Sequence, residues 1–258
     1  MAGVQASNRA VTSAVLATLV AVAGVVGDLT LAGHSGPVLG GLLIALGVLF
    51  AVGWPLVAGL PARWHSAVVI ALGGAAAVLA VWLSTEQAML NPVPAVFAGV
   101  VLAAFVMQLV RRDGRERLVE SVAGTVAGAL VPVCSVGWLA AERTVAGDAV
   151  VVAGAVALAV GSAISALPFD GWLRVGIVVG GSTAAGAVVG LALSTIGLLS
   201  GTLLGLAVGI LVAAATELFR RLDHEGEQWE RAALLSVATL PVAVTGILVY
   251  LAGRVLIG

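Results

Sequence analysis

The sequence predicts an all-α membrane protein of about nine spans, with its N-terminus in the cytoplasm. Three observations predict it. Of 258 residues, 61% are hydrophobic and only 10% charged, where a soluble domain carries about 25% charged residues. The apolar residues gather in runs near the length that crosses a hydrocarbon core of about 30 Å at 1.5 Å per residue. The charges collect between the runs, and mean hydropathy is +1.17.

The first run, 10–32, is longer than the 7–15 residues of a secretory signal core and reads as an uncleaved helix. The second covers 37–59 and holds Pro55; the third covers 66–84. Asn91-Pro92-Val93-Pro94 opens the fourth, 93–110, where proline at a helix start is tolerated. The fifth, 118–141, carries Gly124, Gly128 and Pro132. The sixth, 148–167, meets the seventh, 172–194, at a tight hairpin, Pro168–Gly171. The eighth is 198–219, and the ninth, 232–252, contains Pro241. No connection is long enough to fold alone, so residues 1–258 read as one integral membrane domain.

All twelve basic residues are arginine, and their placement orients the chain. With the N-terminus inside, Arg9, Arg63, Arg111, Arg112, Arg115, Arg117, Arg174, Arg220, Arg221 and Arg231 are cytoplasmic; only Arg143 and Arg254 lie opposite. Arginine without lysine, in a chain rich in Ala, Val and Gly, fits a GC-rich bacterial genome. The expected location is therefore the bacterial inner membrane. Fusing a reporter after Arg117 and after Gly258 checks the topology: the two should report opposite sides, and finding both on one side would refute nine spans.

Gly197, Gly201, Gly205 and Gly209 recur at four-residue spacing, continued by Ala213. In a soluble helix each glycine costs about 1 kcal/mol against alanine. In lipid, where burying leucine between helices gains little, small residues let backbones approach closely. The ridge predicts helix packing, within the chain or against a second copy or another membrane protein. Gly176/Gly180, Gly186/Gly190 and Gly124/Gly128 repeat the notch.

No acid, base or histidine falls in the middle of a run, although intramembrane ionisable groups are where function is first sought. Asp28, Glu120 and Glu217 lie near run ends; His34, His65 and His224 lie in or beside connections. Glu217 stands three and four residues before Arg220 and Arg221, the spacing of a helix ion pair. The single cysteine, Cys134, excludes an intrachain disulfide and a cysteine metal cluster. Ser162 and Ser182 follow glycines in mid-run without a base nearby, and read as packing residues. No catalytic residue, metal ligand, cofactor or nucleic-acid partner is expected. The loop Arg111-Arg112-Asp113-Gly114-Arg115-Glu116-Arg117 offers arginines to anionic lipid headgroups, each contributing about 1 kcal/mol near the surface.

Two stretches, Met107–Ala141 and Leu203–Asp223, resemble the membrane scaffold of phosphatidate cytidylyltransferases. The second ends in Glu217, Arg220 and Arg221, where that family ends a small-residue helix in an acid followed by Lys-Arg. The resemblance implies a multi-spanning enzyme that consumes CTP and Mg²⁺ to make CDP-diacylglycerol. The family's further Lys-Asp, His-Gly-Gly and paired Asp residues have no counterpart in 222–231, so no catalytic residue carries over.

Three function classes stay open: a non-enzymatic scaffold or accessory subunit, which the absent charges and glycine notches favour; a permease for an apolar or lipid-like solute; and a degenerate or divergent lipid-modifying enzyme.

Overall fold

A computed structural model describes residues 2–30, 36–85, 89–111, 117–144, 146–169, 171–223 and 230–256. The described residues form α-helices and no strand. In chain order these are α1 (Ala2–Thr30), α2 (Gly36–Val57), α3 (Arg63–Trp82), α4 (Val93–Val110), α5 (Leu118–Glu142), α6 (Gly147–Ser165), α7 (Gly171–Ala192), α8 (Gly197–Asp223) and α9 (Arg231–Leu256). Each of the nine is long and apolar enough to cross a membrane. The protein is thus an all-α, multi-pass membrane protein.

Several helices outrun their apolar stretches, α1, α3, α8 and α9 by three residues or more, and two of these have identifiable reasons. The polar residues before position 10 continue α1 back to Ala2. α8 runs on to Asp223 because Glu217 pairs with Arg220 at 3.3 Å and Arg221 at 3.5 Å, one turn along the same face. The break between α6 and α7 coincides with Leu-Pro at 167–168, and Gly171 supplies a φ of +55° at the first residue of α7.

The described chain divides into two compact units. Unit 1 comprises Met1–Leu39, Gly137–Gln228 and Thr245–Gly258; unit 2 comprises Gly40–Val136 and Trp229–Val244. The division falls inside α5, between Val136 and Gly137, and inside α9, between Val244 and Thr245.

In unit 1, α6 is the central helix and packs against α1, α7 and α8. It can do so because most of its buried residues are small: Gly147, Ala153, Gly154, Ala155, Ala157, Gly161 and Ser162, beside Val150, Val151 and Leu158. The indole of Trp138 is fully buried beside Gly154, and Gly24 of α1 admits Val151. In unit 2, Phe50, Ile70, Val100, Ala104 and Ala129 anchor the core, with Trp54 stacked on Phe50 at 5.3 Å between centroids. Pro132 sits against two glycines, Gly47 of α2 and Gly74 of α3, so its ring is accommodated where side chains are missing. The Ser236 hydroxyl of α9 donates to the carbonyl of Phe50 at 2.9 Å.

Candidate functional site

The glycine ridge of α8 lies against α7. The turn Leu193–Ile196 joins the two helices, with Ile196 N–H donating to Leu193 O, and Gly197 turns the chain back at φ +77°. The resulting antiparallel register sets Gly201 and Gly205 against Gly186, and Gly201 and the carbonyl of Gly197 against Gly190. A Cβ on Gly205 would meet the Ser182 carbonyl, with Thr183 Cα at 3.0 Å and Gly186 Cα at 3.2 Å. One on Gly209 would lie 2.9 Å from Val179 Cα. Gly197 differs from the other three: a Cβ there meets nothing within 4 Å, and the residue contributes its backbone conformation and its carbonyl. This is a backbone-to-backbone seam, the geometry that small residues make favourable where hydrophobic burial gains little.

Ser182 sits on the same seam. Its hydroxyl fills the notch at Gly161 of α6, and both it and the Ser162 hydroxyl are buried without a hydrogen-bond partner among the described residues.

α7 carries a second small-residue row. Successive helix residues turn by about 100°, so Gly176, Gly180 and Ala184 lie opposite Val178, Ser182 and Gly186. The latter three are buried, whereas Gly176, Gly180 and Ala184 are exposed, and a Cβ at either glycine meets nothing within 4 Å among the described residues. Leu173 and Leu191 extend the same exposed face at either end. The third notched helix, α5, is filled differently. Gly124 faces Leu60, and Gly128 receives the indole of Trp54, whose Nε1–H donates to Gly124 O at 2.8 Å. The same glycine spacing thus serves a helix backbone in α8 and inserted side chains in α5.

The arginine loop divides. Arg112 and Arg115 lie outside the described residues. Arg111 turns inward: it is 6% exposed, and its Nη1–H donates to Gln108 Oε1 at 2.6 Å. Gln108, itself 3% exposed, donates from Nε2 to the Ser121 hydroxyl of α5 at 2.8 Å. Thr125 Oγ1 lies 2.7 Å from both Ser121 O and Ser66 Oγ. With its one proton on the carbonyl, it accepts from Ser66 of α3. This polar run ties α3, α4 and α5 together, with the Arg111 guanidinium held on Gln108. Arg117, at φ +52°, pairs with the half-exposed Glu120 and donates to Gly59 O at 3.2 Å.

At the end of α8, Arg220 and Arg221 hold Glu217, and Arg9 of α1 lies over the ring of Phe219 at 5.9 Å. His34 and His224 fall outside the described residues, and Asp28 lies in α1. Among the described residues no three His, Cys, Asp or Glu side chains gather as a metal site would require.

Gln108 is uncharged and so does not stand out among the acids, bases and histidines. Its signal was an amide three residues before an arginine, the spacing at which one helix turn brings two side chains together. No protein-family model, curated protein or solved structure matches the chain. Its class therefore rests on the nine helices, and its function on the faces they present.

Proposed function

We propose that this chain is a non-enzymatic scaffold or accessory subunit of the bacterial cytoplasmic membrane, and that the open row of α7 seats a transmembrane helix, first of all that of a second copy. The observation that carries the reading is the contrast between the two faces of α7. One small-residue row is in backbone contact with α8; the opposite row, Gly176–Gly180–Ala184, has the same chemistry and is exposed, with nothing among the described residues against its two glycines. A small-x₃-small row gains its stabilisation only when a second backbone closes on it. It is also self-complementary, as the interface of a two-fold dimer must be. The N-terminus inside, and anionic lipid at the exposed arginines, complete the picture; the arginine distribution supports both.

Gly180→Leu is expected to insert normally and to leave the monomer's melting temperature unchanged, while abolishing any dimer seen for the wild type by native mass spectrometry in mild detergent. A wild-type chain that is monomeric throughout, or a Gly180→Leu dimer as abundant as the wild type's, contradicts the reading.

A permease for an apolar solute is the second reading. The prolines inside α2, α5 and α9 favour it, because each removes one backbone hydrogen bond from its helix and leaves a weak point of the kind a solute path uses.

A further inference from the structure

The two arginine-bearing helix ends match each other well beyond the arginines. Residues 98–139 and 207–248 align without a gap, offset by 109 positions, and are identical at 13 of 42. Identities of Ala, Val or Leu mean little in this composition. Arg111/Arg220, Arg112/Arg221, Glu116/Glu225 and Pro132/Pro241 mean more, in a chain with 12 basic residues, 13 acids and 8 prolines. Around the prolines the segments read Pro-Val-Cys-Ser-Val-Gly and Pro-Val-Ala-Val-Thr-Gly.

The structure supports the same register independently. Gln108 aligns with Glu217, and each receives a hydrogen bond from the arginine three residues on: Arg111 Nη1 at 2.6 Å, Arg220 Nη1 at 3.3 Å. Upstream, Leu60-Pro61 precedes a first-turn tryptophan on α3, Trp64, which is 73% exposed. Leu167-Pro168 precedes its counterpart on α7, Trp172, 89% exposed, with one residue inserted. α3 thus pairs with α7, α4 with α8 and α5 with α9; α2 and α6 follow by order, and α1 is left over. Four helices per copy is an even number, so both copies run the same way through the membrane and both Arg-Arg ends fall on one side. The arginine distribution requires the same.

Equivalent residues then meet. A Cβ on Gly137 would lie 2.5 Å from Ile247 N and against the carbonyl of Gly246. Gly246 is the residue that the alignment equates with Gly137. Five residues before this contact each helix has its proline, which removes the N–H that would bond the carbonyl four residues back, Gly128 O in α5 and Val237 O in α9.

We infer that α2–α5 and α6–α9 are tandem copies of one four-helix unit, and that α5 and α9, meeting at Gly137 and Gly246, form a paired joint that bends at Pro132 and Pro241. The duplication and the bending are tested separately, both on the full chain in lipid nanodiscs. An experimental structure should superimpose α2–α5 on α6–α9 with Arg111 on Arg220 and Pro132 on Pro241. Superposition in another register, or none, overturns the duplication. For the joint, hydrogen exchange read by mass spectrometry should be faster over 124–137 and 233–246 than in α6, which has no proline. Pro132→Ala should slow exchange in the first segment, and Pro241→Ala in the second, each about tenfold. Equal protection of all three segments in the wild type overturns the joint, as does a response at only one proline. If either alanine variant fails to fold, the wild-type comparison with α6 still decides.

Discussion

Gly205→Leu is expected to lower the stability of the monomer by about 3 kcal/mol or more, the upper end of the range for overpacking. The new side chain would point at the Ser182 carbonyl, Thr183 Cα and Gly186 Cα. All three are backbone, so no flexible side chain can swing aside. α7 and α8 must separate, and the Gly201–Gly190 approach opens with them. Insertion should be normal, because leucine is more favourable in lipid than glycine. Thermal unfolding in detergent, with insertion checked by membrane fractionation, reads both expectations. Gly180→Leu is the control: the same substitution on the opposite face of the neighbouring helix should leave the monomer unmoved. A Gly205→Leu chain as stable as the wild type would mean that the two backbones are not in contact.

Gly128→Leu is the second large effect, acting in unit 2. The indole of Trp54 occupies the notch, and Ile70 Cδ1 lies 2.8 Å from where a Cβ would be. Leucine expels the indole. The Trp54–Gly124 hydrogen bond is lost, worth about 1 kcal/mol net, together with the Phe50 stack, worth about 0.5–1.5 kcal/mol. The overpacking strain adds to these, giving about 3 kcal/mol in all. Trp54→Phe removes the hydrogen bond and keeps a ring in the notch, so it should cost only about 1 kcal/mol. Thermal melts of the two variants should rank Gly128→Leu well below Trp54→Phe; the reverse order would show that the notch is not filled by the indole.

The spans were legible because hydropathy over some twenty residues decides them, and the bilayer demands nothing subtler. The glycine ridge of 197–209 was legible as a packing surface, since spacing alone puts four notches in one row. Its partner was not. α7 has two small-residue rows half a turn apart, and composition cannot say which one faces α8. The register set by the turn Leu193–Ile196 decides that Ser182, Gly186 and Gly190 are covered and that Gly176 and Gly180 are left open. Gly124 and Gly128 show the same limit, because a notch does not announce whether a backbone or an indole will fill it. The inward turn of Arg111 depends on Gln108 and Ser121, which lie on different helices and come together only when α4 and α5 pack. The repeat of α2–α5 in α6–α9 was present in the residues throughout. It stands out once helix ends and hydrogen bonds say which scarce identities to compare.

The central claim is that α7 is a two-faced helix, closed on α8 and open to a second copy along Gly176–Gly180–Ala184. Disulfide cross-linking in native membranes tests it most directly, using Ala184→Cys in a full chain whose Cys134 is replaced by alanine. In a two-fold dimer equivalent residues near the axis face each other. Mild oxidation should therefore give a covalent dimer at Ala184→Cys, and Gly180→Leu added to that chain should abolish it. A chain that stays monomeric under oxidation at Ala184→Cys would show that the open row faces lipid, and would contradict the account.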